Sequence, residues 1–520
     1  MLLVNRNAQR EELHKTIWSI ANSLRGAIDG WEFKSYVLGS IFYRFISENI
    51  TNYINNLQAQ AGVKDFDYAN MSDANAEEAR EMMVDEKGFF ILPSQLFCNV
   101  CKNAEKNENL NETLSKAFRA IEASAQGKPS EEALRGLFSD FSVDNSQLGN
   151  SVNSRNKLLA KVLLAVQGMD LGHKYEDNEI DTFGDAYEFL MQMYASEAGK
   201  SGGEFFTPQE VSELLARIAS YGNDNIKKVY DPACGSGSLL MKFAKTIGKK
   251  NKSLKYYGQE VNPTTYNLCR INMFLHDINY DNFDIRLGDT LHEPLHIDEA
   301  PFDAIVSNPP YSLKWDGKDN PLLINDERYA PAGVLAPKSA ADLAFTMHML
   351  HHLAETGTAA IVEFPGILYR GGDEKRIRKY LIDNNYVDCV IQLPANLFFG
   401  VGIATCIIVL KKSTKKDSSV LFIDASNEFT KVGNKNKLYQ EHQDKIFDAY
   451  ANRHDEQYFC KLVKNDDIAE NEYNLSVSSY VEQEDKREVI DIDALNASIA
   501  EIVDRGYELR KQVDTILASL

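Results

Sequence analysis

Between Phe302 and Tyr311 the chain reads Phe-Asp-Ala-Ile-Val-Ser-Asn-Pro-Pro-Tyr, and its last four residues combine an amide, two rigid prolines and an aromatic ring. The run Ala304-Ile305-Val306 predicts a short buried strand. Pro309 and Pro310 cannot continue a sheet ladder, so the strand must break at Asn308. An exocyclic amino group on a base is a poor nucleophile because its lone pair is delocalised into the ring. The side-chain carbonyl of Asn308 and the backbone carbonyl of Pro309 can both accept hydrogen bonds from such a group, favouring the more tetrahedral nitrogen that attacks a methyl donor. Tyr311 offers a face to a base taken out of its stack, a contact that contributes roughly 1–3 kcal/mol. The competing reading is a strand that ends in an ordinary Pro-Pro turn, with Asn as the turn former.

A second stretch has the character of a cofactor cradle. Val229-Tyr-Asp-Pro-Ala-Cys-Gly-Ser-Gly-Ser-Leu-Leu240 predicts a strand ending at Asp231, a glycine-rich turn across Gly235, Ser236 and Gly237, and a helix from Ser238. The glycines let the backbone approach a ligand, and the helix start favours an anionic group. The next strand, Tyr256-Tyr-Gly-Gln-Glu260, places an acid where ribose hydroxyls are gripped. A third, Phe283-Asp-Ile-Arg-Leu-Gly-Asp289, ends on an acid suited to the adenine amino group of an adenosine-like cofactor. Upstream, Gly199-Lys-Ser-Gly-Gly-Glu-Phe-Phe-Thr-Pro208 is not a phosphate-binding P-loop, because Tyr194 stands where that motif needs glycine. There Gly202 and Gly203 read as a flexible entry, and Thr207 as the cap of a helix begun by Pro208 and buried through Val211, Leu214, Leu215 and Ile218.

These residues require a scaffold that brings strand ends together. Further strands are expected at Thr358–Glu363, Val387–Leu393 and Thr405–Leu410, with helices between most of them, including Ala340–Leu353 and Glu374–Asp383. Alternating strands and helices predict an α/β, Rossmann-like, mainly parallel sheet with helices on both faces. Sites on such sheets lie at the carboxyl ends of strands, where Asp231, Glu260, Asp289 and Asn308 all fall. Before this region, residues 1–170 read as helical: Glu12–Leu24, an aromatic-rich core helix at Trp31–Ile54, then Leu110–Glu122, Glu131–Phe138 and Asn156–Val166. Ile180–Tyr194 adds one more amphipathic helix. At the other end, Leu495, Ile499, Ile502, Gly506, Leu509, Val513, Ile516 and Leu520 alternate four- and three-residue steps, a coiled-coil-like seam broken only by Gly506. Three units follow: 1–170 helical, 171–480 carrying the chemistry, and 481–520 for docking a partner.

With 520 residues, 44% hydrophobic and 25% charged, the composition is that of an ordinary globular protein. No run approaches the length of a membrane span and the first residues are too soon polar for a signal peptide, so the expectation is a cytoplasmic protein without a membrane partner. Seven scattered cysteines fit reduced thiols. Cys98-Asn-Val-Cys101 has the spacing of half a zinc site, but no second pair follows, so no metal is expected. The formal charge of -20 disfavours broad phosphate binding by this chain alone, and directs attention to a partner that supplies most of the contact with nucleic acid. The basic stretch Lys411–Lys416 reads equally well as a DNA contact or a solvated turn.

The ordered set Gly203-Glu-Phe-Phe-Thr-Pro208, Asp231-Pro-Ala-Cys-Gly-Ser-Gly237 and Asn308-Pro-Pro-Tyr311 resembles the gamma-type amino-group DNA methyltransferases. More closely it is similar to the modification subunits of type I restriction-modification systems, and the likeness extends over nearly the whole chain, including the helical start at Tyr36–Glu48. That resemblance implies the S-adenosylmethionine-dependent methyltransferase fold. It also implies cofactor contacts at Glu204, Phe205, Phe206, Thr207, Pro208, Gln209, Gly235, Ser236, Gly237, Ser238 and Glu260. Asn308, Pro309, Pro310 and Tyr311 are then the catalytic motif for methylation of adenine N6 in duplex DNA. Transfer is an in-line displacement that works by positioning without a general base, and Asp231 braces the cofactor loop. The resemblance further implies a separate specificity subunit that takes two copies of this chain, and a restriction and translocase subunit in the larger complex. Cys234 stands where many relatives carry Ala. Methylation of cytosine N4, a protein-glutamine methyltransferase or a non-catalytic scaffold of the same fold are the alternatives left open.

Overall fold

A computed structural model describes residues 14–17, 30–171, 184, 186–191, 207–248, 251, 253–398, 402–415, 417–433, 435–483 and 492–519. Its centre is a nine-stranded sheet built from β1 (Lys228–Asp231), β2 (Lys255–Glu260), β3 (Phe283–Leu287), β4 (Phe302–Ser307), β5 (Leu353–Glu363), β6 (Val387–Gln392), β7 (Cys406–Lys411), β8 (Ser419–Asp424) and β11 (Cys460–Lys464). A separate hairpin joins β9 (Thr430–Val432) to β10 (Lys435–Lys437). The strand order is β3-β2-β1-β4-β5-β7-β6-β8-β11. β7 runs antiparallel to both neighbours and β11 antiparallel to β8, while the remaining pairings are parallel.

The central strands β6, β7 and β8 are almost continuously apolar and buried because the sheet is covered on both faces there. Alternation sorts the side chains of the sheet: Ala304 and Val306 of β4 enter one core with Ala360 and Val362 of β5, whereas Ile305 enters the other with Ala359 and Ile361. The first core is closed by the helices Gln209–Ser220, Ser238–Phe243, Pro263–Leu275 and Gln440–Asn452. The second is closed by Asp342–His352, Asp373–Asp383 and Asn465–Glu470. Because β1 has β2 on one side and β4 on the other, the strand order reverses beside it, which puts the carboxyl ends of β1 and β4 at the position where sheets of this kind bind ligands.

The helical region near the start shares the first core. A 31-residue helix, Gly30–Gln60, buries Phe42, Tyr43 and Phe45, and Phe118 stacks on Phe138 with ring centroids 4.2 Å apart. The helix expected over Glu131–Phe138 stops at Leu134, since Gly136 takes a φ of +64° and turns Phe138 inward to those rings. Of the expected helix Glu12–Leu24, His14–Ile17 is helical and the rest lies outside the described residues. Of Ile180–Tyr194, residues 184 and 186–191 are helical and the rest lies outside the described residues.

Residue contacts divide the chain into two units, 1–481 and 482–520. Among the described residues the second contains one helix, Ile492–Ser519, whose residues are all exposed. Leu495 (49%), Ile502 (70%), Leu509 (54%) and Ile516 (60%) keep about half or more of their surface in solvent. No helix among the described residues is long and apolar enough to cross a membrane.

Candidate active site

Asn308 follows the last residue of β4, and both ends of its amide are held. Nδ2 donates to Thr207 Oγ1 at 3.0 Å, and the Tyr311 hydroxyl donates to Oδ1 at 2.6 Å. Pro309 is buried, while Asn308, Pro310 and Tyr311 are half-buried. Immediately after the motif Ser312 adopts a φ of +52°, and its N–H donates to both carboxyl oxygens of Asp342 at 3.1 Å. Asp342 opens the helix Asp342–His352, so the tetrapeptide is fixed at one end by β4 and at the other by a helix start. An Asn carbonyl has two lone pairs. With one taken by Tyr311, one remains for an incoming N–H.

The Thr207 expectation changes in detail. The helix Gln209–Ser220 has Pro208 at its cap position and no side-chain cap bond, because the Thr207 hydroxyl serves Asn308 instead. Gln209 is taken up elsewhere: its amide donates to Glu188 and accepts from Lys242 Nζ at 3.2 Å. Glu204, Phe205 and Phe206 lie outside the described residues.

On the cofactor side, Gly235 and Gly237 take φ values of +52° and +81°, which side chains rarely adopt. A Cβ on Gly237 would also lie 2.8 Å from Cys269 Sγ. Glu260 spans the turn: Oε2 accepts from the Gly235 N–H and Oε1 from the Asn262 N–H, each at 2.9 Å. Thr290 donates its hydroxyl to the Pro232 carbonyl, and Asn272 donates to the Ser236 carbonyl. Ser236 is buried in this turn, and Ser238 begins the helix Ser238–Phe243.

Asp231 sits beneath the two motifs. Its Oδ1 accepts from Ser307 Oγ at 2.8 Å and from the Ala233 N–H at 3.1 Å. Ser307 is the last residue of β4 and Asp231 the last of β1, so this bond ties the catalytic strand to the cofactor strand. Burial pushes the Asp231 carboxyl up to about 7, against the opposing pull of its bond from Ser307. Asp289, two residues beyond β3, is half exposed and accepts from the Leu291 N–H. His292 bridges it to Asp316, with Nδ1 2.9 Å from Asp289 and Nε2 3.0 Å from Asp316. Burial opposes protonation of His292, but the bonds to Asp289 and Asp316 outweigh it and hold the ring above the usual histidine range.

Sequence reasoning passed over Ser307 and Glu363. Ser307 is silent in sequence because its role depends on the pairing of β4 with β1. Glu363 was legible, since it ends β5 by the same positional rule that picks out Asp231 and Glu260. It is fully buried, accepts from Thr346 Oγ1 at 2.8 Å, and is held far above the carboxylate range by burial and by Asp342. The basic stretch is largely engaged with its own fold: Lys411 pairs with Asp388 at 3.3 Å, Lys412 donates to the Leu353 carbonyl, and Lys415 donates to Asn385 and the Val387 carbonyl.

Comparison with known proteins agrees with this geometry. The family model described as N-6 DNA Methylase matches residues 178–489, and that described as the HsdM N-terminal domain matches residues 13–166. The chain is 49% identical to the type I restriction enzyme MpnII methylase subunit of Mycoplasma pneumoniae, over 99% of this chain and 97% of that protein. It is 28% identical to the MjaVII methylase subunit of Methanocaldococcus jannaschii, over 97% of this chain and 83% of the relative. The crystal structure of the type I restriction-modification methyltransferase subunit from Streptococcus thermophilus superposes with a TM-score of 0.82 at 34% identity, covering 91% of this chain and all of that one. Near-full-length identity on this scale, on a sheet that sets Asn-Pro-Pro-Tyr beside a glycine-rich strand end, establishes that the chain belongs to the N-6 DNA methylases, as a methylase subunit of type I restriction-modification systems.

Proposed function

We propose that Asn308, Pro309, Pro310 and Tyr311 carry out methyl transfer to adenine N6 in duplex DNA. The cofactor is S-adenosylmethionine, held by Glu204–Pro208, Asp231, Gly235–Ser238, Glu260 and Asp289, while Gln209 is taken up by Glu188 and Lys242. The observation that carries this reading is the Asn308 amide, clamped by Thr207 and Tyr311 at the carboxyl end of β4. The residues fit the cofactor: the turn is too tight for a side chain at Gly237, and Glu260 already accepts from its backbone at Gly235. When bound, the cofactor supplies an electrophilic methyl on a positively charged sulfur.

The chain's own residues then act by position. Asn308 Oδ1 and the Pro309 carbonyl accept from the adenine amino group and direct its lone pair along the line of attack. Thr207 holds the amide in the orientation that leaves Oδ1 facing the amine. The proton lost from nitrogen goes to solvent after transfer, so no general base is required. Asp231 braces the two strand ends through Ser307 rather than taking part in the chemistry.

A separate specificity subunit selects the DNA site, and the exposed apolar seam of Ile492–Ser519 docks it, with two copies of this chain per specificity subunit. A restriction and translocase subunit joins the larger assembly, which works in the cytoplasm. The net charge of -20 supports this division, since most phosphate contact must then come from another chain. The test is transfer of a radiolabelled methyl group to mixed-sequence duplex DNA, with and without the co-expressed specificity subunit, followed by nucleoside analysis. Label in N6-methyladenine that requires the partner is the expected result. Label without the partner would refute the division of labour, and its absence in both cases would refute the catalytic assignment.

A further inference from the structure

Away from the strand ends that hold Asn308 and Glu260, three potential ligands converge beside β3. Asp284 lies on β3, and His296 and Glu299 lie on the connection from β3 to β4. One ligand atom from each falls within 4.8 Å of the others. His296 is 1% exposed, and its ring is packed edge-on against Tyr230 and Tyr257, with centroids 5.6 and 5.5 Å away.

The hydrogen bonding decides which nitrogen carries the proton. Nε2 is 2.9 Å from the Gly258 carbonyl, which can only accept, so Nε2 bears the hydrogen and Nδ1 keeps its lone pair. Among the described residues Nδ1 has no hydrogen-bond partner, and neither has Glu299 Oε2, although both are buried. Nδ1 stands 3.8 Å from that Oε2 and 3.9 Å from Asp284 Oδ2. Two unpartnered electron-pair donors, Nδ1 and Oε2, therefore face each other beside Asp284 Oδ2, which is itself held by Arg286 at 2.6 Å.

A proton does not resolve this arrangement. The separations of 3.8 and 3.9 Å exceed the reach of an N–H···O bond, about 3.2 Å. Arg286 supplies part of the compensating charge: its guanidinium donates to Asp284 Oδ1 and Oδ2 and to Glu299 Oε1. That leaves one uncompensated negative charge and the lone pairs of Nδ1 and Oε2. A tetrahedral zinc-class ion with ligands at about 2.1 Å has ligand–ligand edges of about 3.4 Å, a few tenths below the two separations from Nδ1, while the two carboxylates, within 4.8 Å of each other, draw in on binding. An imidazole whose other nitrogen donates to a backbone carbonyl is also the usual orientation of a metal-bound histidine.

We propose that Asp284, His296 and Glu299 bind one divalent cation of the zinc class through Oδ2, Nδ1 and Oε2, with Arg286 orienting both carboxylates. This revises the expectation that the chain holds no metal. The ion staples the connection 288–301 to the sheet. That connection carries Asp289, and also Thr290, which holds the Pro232 carbonyl of the glycine turn. The role is structural, since Asp284 precedes Asp289 by five residues, roughly 17 Å of extended chain.

The full-length chain, stripped with chelator and desalted, is titrated with Zn2+ against a chromophoric chelator and separately with Co2+ followed by visible absorption. The expected result is one equivalent bound below micromolar concentration, with a cobalt spectrum of nitrogen and oxygen ligation and a raised thermal midpoint. Glu299→Gln and Asp284→Asn, both on partly exposed residues, should each weaken that equivalent at least 30-fold at an unchanged metal-free midpoint, and His296→Asn should abolish it. Failure of the wild type to take up either ion would overturn the proposal. So would retention of the equivalent in Glu299→Gln, or its loss in a Cys98→Ser, Cys101→Ser variant, which would place the ion on thiols.

Discussion

The two bonds on the Asn308 amide allow its contribution to be separated from that of the ring beside it. Tyr311→Phe keeps the aromatic face and removes only the 2.6 Å bond to Oδ1. A neutral hydrogen bond of this kind contributes about 0.5–1.5 kcal/mol net, and 1.36 kcal/mol is tenfold in rate, so methyl transfer should slow by about 2- to 13-fold. Tyr311→Ala also removes a stacking face worth about 1–3 kcal/mol, adding a further 5- to 160-fold. Asn308→Ala removes the acceptor itself, and loss of one such group costs about 10²–10³ in rate. The expected order of damage is therefore Tyr311→Phe, then Tyr311→Ala, with Asn308→Ala comparable to or beyond the latter, while cofactor affinity stays within about twofold for all three. Single-turnover transfer of a tritiated methyl group into duplex DNA, with the specificity subunit present, measures the rates; calorimetry measures cofactor binding. Two outcomes refute the reasoning. Asn308→Ala transferring at near the normal rate would remove the amide from the chemistry. Tyr311→Phe falling as far as Asn308→Ala would make the hydroxyl, rather than the amide, the reacting partner.

Asp231 makes stability depend on pH. Its folded-state value of about 7 lies above the usual carboxyl value of 3.8, so its contribution is full below about pH 4 and is lost as pH rises through 7. Three units at 1.36 kcal/mol each make that loss on the order of 4 kcal/mol. Urea unfolding of wild type and Asp231→Asn at several pH values should show the wild type losing stability relative to the variant across this window; parallel profiles would exclude a raised carboxyl. Thr207→Val should slow transfer by a few-fold while Thr207→Ser restores it, which calls for steady-state kinetics of the three proteins; equal rates would show that the amide needs no anchor there. Glu260→Gln should weaken cofactor binding about tenfold or more, read by calorimetry, and lower the melting temperature, because its new amide N–H2 faces one of the two backbone N–H groups that the carboxylate accepts from; unchanged affinity would remove Glu260 from the cofactor site. Truncation after Asp493 should abolish co-elution with the specificity subunit in size-exclusion chromatography, since the exposed seam Leu495–Ile516 goes with it, and an intact complex would refute docking through that helix.

The local grammar of the chain was readable without coordinates. Seven strands from Val229 to Leu410, the helices between most of them, and the breaks at Asp231 and Asn308 follow from apolar runs punctuated by glycine and proline, because such signals act within a few residues. The aromatic helix around Phe42 and Tyr43 was legible as core for the same reason: its hydrophobic density has no use on a surface. β8 and β11 went unread: β11 is a brief alternation with lysines at the edge of the sheet, where little local signature is needed, and β8 is a bare apolar run whose place between β6 and β11 is a matter of pairing. The antiparallel course of β7 had a faint sign, a connection after β6 without a helix, but direction is a matter of pairing.

What the sequence by itself determined was the kind of chemistry and the residues that bear it: an amide beside an aromatic ring, a glycine turn, and acids at successive strand ends. What only the tertiary structure decided was who meets whom. Thr207 became the anchor of Asn308 instead of a helix cap, Gln209 turned to Glu188, and Ser307 joined Asp231 across β4 and β1. Asp284, His296 and Glu299 closed on one another beside β3. Each of these contacts links residues brought together by strand order or by a folded connection. Their geometry is set by which backbones share a ladder and which face each side chain takes, and neither quantity is written in the spacing of residues along the chain.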